Sequence, residues 1–182
     1  IKKMSSKRHD NYKKVLMEPR TPLVIATGPA GTGKTRMPCL VGLQQLVDKK
    51  YERIIITRPT ATVGEPIGFL PGDLQDKMTP FVSHMIDYID MYNLKYVQSN
   101  VEVVALSHIR GMTLSDVWII ADEMQNSTPM QMKTLLTRVG ENSKLIITGD
   151  LSQSDLNPLI EPINGLQDLI ERMNSQSCST FV

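Results

Sequence analysis

The strongest constraint in this sequence is an eight-residue loop, Gly28-Pro29-Ala30-Gly31-Thr32-Gly33-Lys34-Thr35. It lies between a short apolar run, residues 23–27, and a stretch of helical character, residues 34–49. The loop matches G-x-x-x-x-G-K-[ST] at every fixed position, in the strand–loop–helix setting that this pattern requires. Glycines let the backbone fold around phosphate so that several N–H groups point inward. The helix that follows turns its positive end to the anion. In such a loop Lys34 reaches the β- and γ-phosphates of a nucleoside triphosphate, and Thr35 offers a hydroxyl to Mg²⁺. Arg36, the next residue, is grouped with the loop. ATP with Mg²⁺ is therefore the expected ligand.

Four further β-rich runs fall at residues 53–57, 101–106, 117–121 and 144–148. All but 101–106, which Glu102 interrupts, are nearly continuous in apolar residues, as buried parallel strands are. Helical stretches lie at 73–92, 129–139 and 164–174. Strands alternating with helices predict an α/β fold, a parallel sheet with helices on both faces in three layers. Ligands of such sheets sit at the carboxyl ends of the strands, where the candidate residues fall. Pro38 is expected in the first turn of its helix, where proline is tolerated.

With 182 residues, 41% apolar and 21% charged, the chain reads as one globular domain, residues 1–182. Its first 20–22 residues, carrying Lys2, Lys3, Lys7, Arg8, Lys13 and Lys14, read as a basic lead-in segment. The net charge of +1 gives no global field toward nucleic acid, so such a partner needs a local patch. Two distant cysteines, Cys39 and Cys178, fit a reduced, cytoplasmic setting. No apolar run nears the ~20 residues of a membrane span, and no signal peptide opens the sequence.

Residues 117–121 end in Asp122 and Glu123. Beside a phosphate loop, the first acid is expected in the Mg²⁺ shell and the second as the base that polarises attacking water. Glu123 therefore favours hydrolysis over transfer to an organic acceptor. Residues 145–150 end in Thr148-Gly149-Asp150 and lead to Leu151-Ser152-Gln153. A polar group there can sense the γ-phosphate, a role given to Gln153 and less firmly to Asp150, which could instead cap a turn.

Together with Thr57-Arg58-Pro59, Gly68-Phe69-Leu70-Pro71-Gly72-Asp73-Leu74, Arg110-Gly111, Gln131-Met132-Lys133 and Leu136-Thr137-Arg138, these motifs resemble the PhoH family of phosphate-starvation-type ATPases. The flavour is nearest to its phage and large-DNA-virus branch. That family is similar to the first motor domain of superfamily 1 helicases, which implies a RecA-like phosphate-loop NTPase core. Asp122-Glu123-Met124-Gln125 resembles the helicase DExQ motif, and Gly149-Asp150-Leu151-Ser152-Gln153 resembles GDxxQ. The resemblance implies an ATPase linked to RNA or single-stranded nucleic acid, working as a hexameric ring, with a nuclease or RNA-processing protein as a possible partner. It groups Gln125 and Tyr12 with the nucleotide-binding residues. His9 stands where the family often has an adenine-reading Gln, and Arg-Gly-Arg-Thr becomes Arg110-Gly111-Met112-Thr113. His9 is expected to be an exposed residue rather than a base reader.

Charge on the transferring phosphoryl needs an arginine, which a second motor domain usually supplies. With too few residues after Asp150 for one, supply in trans by a neighbouring subunit is the expectation, from Arg110 or Arg138 ahead of Arg58. Arg58 falls where helicase first domains touch the nucleic-acid backbone. The competing reading is an ATP-driven regulatory or assembly module acting on a protein partner, favoured by the near-neutral charge and by an aromatic content of only 5%.

Overall fold

The computed structural model describes residues 6–59 and 85–175. Five parallel strands form one sheet in the order β1-β5-β4-β2-β3. They are β1 (Leu23–Thr27), β2 (Arg53–Arg58), β3 (Val101–Ala105), β4 (Val117–Ala121) and β5 (Lys144–Gly149). The expected runs match to within a residue at each end. The helices are α1 (Ser6–Met17), α2 (Arg36–Val47), α3 (85–91), α4 (Pro129–Leu136) and α5 (Gly165–Ser175). The part of the 73–92 stretch before residue 85, and the Gly68–Leu74 motif, lie outside the described residues.

Side chains alternate across the sheet, as the period of two requires. Ile54, Ile56, Trp118, Ile120 and Ile146 face one layer with Leu16 of α1, Cys39, Leu43 and Leu46 of α2, and Met85 and Ile89 of α3. Ile55, Ile119, Leu145 and Ile147 face the other, with Met132 and Leu135 of α4 and Leu166 and Leu169 of α5. The fold is thus a three-layer α/β core of the phosphate-loop NTPase type.

Two contacts set α2 on the sheet. The Trp118 indole N–H donates to the Pro38 carbonyl at 3.0 Å. A Cβ on Gly42 would lie 2.6 Å from the same indole nitrogen, so only glycine permits this approach. Pro38 sits in the first turn, since α2 opens at Arg36. At α4, Thr128 and Gln131 form a reciprocal capping box with Pro129 in the first turn. Asn164 accepts from the Gln167 amide at 2.9 Å, so it caps α5 rather than opening it.

The basic lead-in segment contains a helix that the sequence reading did not include. Residues 6–17 are helical, and α1 packs on α2. Its inward face, His9, Tyr12, Val15 and Leu16, follows helical spacing, but the lysines between mask that period in the sequence. A buried lysine anchors it. Lys144 is 1% exposed, and its ammonium donates to the carbonyls of Val15, Leu16 and Glu18 at 3.2, 2.7 and 2.7 Å. A cation at these terminal carbonyls also opposes the negative end of the helix dipole.

Candidate active site

The loop between β1 and α2 folds with Gly31 and Gly33 in left-handed backbone, at φ 77° and 81°. A side chain at either position would be strained. The Gly28 amide donates to the Gly149 carbonyl at 3.1 Å, tying the start of the loop to the end of β5. Lys34 Nζ donates to the Pro29 carbonyl across the loop at 3.3 Å. Thr32 Oγ1 also donates to that carbonyl, at 2.9 Å. Ala30 and Arg36 are exposed, and Arg36 makes no side-chain bond among the described residues.

Helix α1 supports the loop from behind. Tyr12 donates its hydroxyl to the Lys34 carbonyl at 2.8 Å, and His9 Nε2 lies 3.2 Å from the Thr32 carbonyl. His9 is thus half-buried against the loop, not exposed as expected. The Tyr12 hydroxyl is turned onto the loop backbone. Burial, with Cys39 and Asp122 nearby, holds the Tyr12 phenol well above its usual value. Burial and then Asp122 push the Cys39 thiol up to about 12.

Beside the loop lies a buried knot of oxygens. Asp122 Oδ1 accepts from Thr35 Oγ1 at 2.7 Å and from Thr148 Oγ1 at 2.6 Å. Thr148 was missed in the sequence, where it reads as an ordinary strand residue. Parallel pairing explains the meeting: Ala121 of β4 is level with Ile147 of β5, so Asp122 and Thr148 emerge as neighbours. Asp122 Oδ2 is buried with no hydrogen-bond partner among the described atoms. A buried carboxylate oxygen in that state, beside a threonine hydroxyl, fits a hard cation. Among the described residues no group of three or more His, Cys, Asp or Glu could hold a metal alone. Mg²⁺ takes one or two carboxylates and fills its shell with water and phosphate oxygens.

Glu123 has left-handed backbone, φ 54° and ψ 38°. For a non-glycine residue this conformation is uncommon and costs about 1–3 kcal/mol, and Glu123 shares it with Lys49, Asn93, Asp116 and Asn142. The turn carries its carboxylate to the rim, 28% exposed, while Asp122 stays fully buried. Gln125 lies behind, 1% exposed. Its Nε2 donates to Glu123 Oε2 at 2.5 Å and its Oε1 accepts from the Asp150 amide at 3.1 Å. Both ends of this amide are committed to the protein, so Gln125 braces Glu123 against the end of β5. Arg58 reaches the acids from β2, with Nη2 3.5 Å from Asp122 Oδ2 and 3.4 Å from Glu123 Oε1.

The other candidates stand apart. Asp150 accepts from the Ser152 amide at 2.9 Å and hydroxyl at 2.6 Å, the turn-capping arrangement. Those bonds, with Lys34 nearby, hold its carboxyl below the usual range. Gln153 is exposed and makes no side-chain bond among the described residues. Arg110 and Arg138 are exposed and unpaired among the described residues. The Arg138 carbonyl accepts from Leu114, ahead of β4 and β5, so it lies at the amino ends of the strands, opposite the loop.

Comparison with known proteins agrees with this architecture. The family model described as PhoH-like protein matches residues 1–182. A PhoH-like protein of Synechocystis sp. is 44% identical over 135 residues, 71% of this chain and 41% of the relative. Protein PhoH2 of Bacillus subtilis is 38% identical over 180 residues, 92% of this chain and 40% of the relative. Protein PhoH of Escherichia coli is 38% identical over 158 residues, 82% of this chain and 44% of the relative. The chain thus spans about two fifths of the length of these relatives. With a phosphate loop, an acidic strand end and a family match along its whole length, the chain belongs to the PhoH family of phosphate-loop NTPases.

Proposed function

We propose that the chain binds ATP with Mg²⁺ and hydrolyses it, and that turnover is coupled to RNA or another single-stranded nucleic acid by a helicase-like motor in a homo-oligomeric ring. The observation that carries the hydrolytic reading is the buried Thr35–Asp122–Thr148 knot beside the phosphate loop, with Glu123 on its rim. The loop amides and Lys34 receive the phosphates. Thr35 and Asp122 would hold the Mg²⁺, which would supply positive charge to offset that of the phosphates. Glu123 orients water toward the γ-phosphorus and accepts its proton. Gln125 keeps that carboxylate in place.

The coupling reading rests on the DExQ-like link from Gln125 to Glu123 and Asp150, which joins the base to the end of β5. Arg58 is committed to the acids, and Arg138 lies at the far ends of the strands. A transition-state arginine from a neighbouring copy suits this arrangement, with Arg110 and Arg138 as the candidates.

The test is phosphate release from Mg-ATP with and without single-stranded oligo(U), alongside a solution mass. We expect hydrolysis, stimulation by oligo(U) and a mass of several copies. No hydrolysis at any protein concentration overturns the enzyme reading. Hydrolysis by a monomer that ignores oligo(U) overturns the motor and the ring, and leaves the protein-partner reading.

A further inference from the structure

We propose that helix α1 of one copy docks on the segment after β5, residues 150–161, of the next copy, joining the chains head to tail. This rests on the ring in the reading above and names the two surfaces that build it. The net charge of +1 conceals two faces of opposite sign. Residues 7–20 carry five lysines and arginines, among them Lys13 and Lys14, against the acids Asp10 and Glu18. All of these are exposed. Residues 145–171 carry five acids and no lysine, arginine or histidine. Among those acids Asp155 and Glu171 are exposed, and Glu161 is half-buried. Opposite charges attract within about a Debye length, ~8–10 Å at ordinary salt, and like faces repel. The face of α1 therefore suits the acidic segment and not another α1.

The apolar side chains agree. Leu159 and Ile160 are 93% and 60% exposed, on a turn inside the acidic segment. That turn is fixed. Asn157 Oδ1 accepts from the Leu159 amide at 3.0 Å, and the Asn157 carbonyl accepts from the Ile160 and Glu161 amides at 3.0 and 2.9 Å. Two large apolar side chains held out in water are stabilised by being covered. On α1, Met17 is 44% exposed and lines an open concavity with Asp10, Lys13, Lys14 and Glu18. Helix α1 packs in the layer of α2, whereas the segment leads to α5 in the other layer. Complementary patches on opposite layers of one chain meet between copies, in a head-to-tail contact that repeats around a ring. Such a contact bears on two sites at once. Tyr12 fastens α1 to the phosphate loop. The segment is fastened to the acidic turn by Ser154, whose hydroxyl donates to the Gln125 carbonyl at 3.0 Å. Asp155 adds a reciprocal pair with Asn126, at 3.0 and 2.9 Å. Each contact thus links the phosphate loop of one copy to the Gln125 brace of its neighbour.

The experiment measures solution mass by light scattering on the full chain, with fold checked by circular dichroism. It compares wild type with Lys13→Glu/Lys14→Glu, with Leu159→Lys/Glu161→Lys, and with an equimolar mixture of the two double variants. Wild type should have the mass of several copies, and each double variant alone the mass of one. The mixture should regain the mass of several copies, because each kind of copy then meets an opposite face on the other. Double variants that keep the wild-type mass, or a mixture that stays at one copy, overturn the contact and leave the ring standing. A wild type with the mass of one copy at every concentration overturns the ring and this contact together. Weaker binding of labelled oligo(U) by Lys13→Glu/Lys14→Glu, at unchanged mass, gives the basic face to nucleic acid and also overturns the contact. Should a double variant misfold, Leu159→Ser is judged instead. That side chain is 93% exposed, so its loss should lower the mass without lowering the urea midpoint, and an unchanged mass overturns the contact.

Discussion

The phosphate loop and the end of β4 serve one site but are built in opposite ways. The loop is backbone, with two glycines in left-handed conformation and a lysine whose bond is to the loop's own carbonyl. The end of β4 is side chain, with Asp122 Oδ1, both ends of Gln125 and the Thr148 hydroxyl already bonded and buried. The loop's donors are arranged for a ligand. The β4 end is arranged by the fold itself, so its oxygens need little reorganisation when charge develops. Damage to the loop should therefore cost chemistry, and damage to the β4 end should cost stability as well.

Lys34→Ala gives the largest expected effect. Removing a cation from the transferring phosphates should lower ATP turnover by about 10³-fold, in the range of a lost charge-stabilising donor. The urea midpoint should stay within error of wild type. A matching loss of stability would remove the contrast between the two regions. Gly149→Ala strikes the other side. A Cβ there would lie 2.5 Å from Leu166 Cδ2 and 2.7 Å from Gln125 Oε1, both in buried residues. We expect a loss of about 1–3 kcal/mol in urea unfolding, as for overpacked cores, together with lower turnover. A variant as stable as wild type would mean that Gln125 is not held as rigidly as its bonds imply.

The smallest effect is at Lys144, on the underside of the sheet, and is read through pH. Burial pushes its ammonium down from 10.5 to about 8, with Glu18 pulling the other way. Between about 8 and 10.5 the unfolded chain binds more protons at this position than the folded chain. Its contribution to stability is thus present above about 10.5 and lost as pH falls through about 8. In Lys144→Met that slope should vanish. The stability difference between wild type and variant should move toward wild type as pH rises through the window, measured by urea unfolding. A difference independent of pH would refute the assignment.

Much of the fold was legible because buried strands announce themselves. The runs at 23–27 and 117–121 coincide with β1 and β4, and the phosphate loop and acid pair follow directly from them. What stayed hidden was long-range or disguised. Thr148 reads as a strand former until β5 is paired with β4. The approach of Arg58 to the acids depends on β2 lying beside β4, which local sequence does not encode. Helix α1 is disguised by its lysines, whose hydropathy hides the four residues that face inward. Asp150 and Gln153 fall three residues apart in one motif, yet one caps a turn and the other faces solvent.

That disguised helix has a geometric consequence. A 12-residue helix is about 18 Å long, and a five-residue strand such as β1 runs about 16 Å. Helix α1 acts like a tie rod, fastened near its end by Lys144 at Leu16 and, about 6–11 Å back along its axis, by Tyr12 and His9 at the loop. Because a hydrogen-bonded helix resists changes in length, the level at which the loop sits is gauged from the opposite edge of the sheet. A local change at the foot of β5 can thus register as a displacement of the phosphate loop, with the two places never in contact.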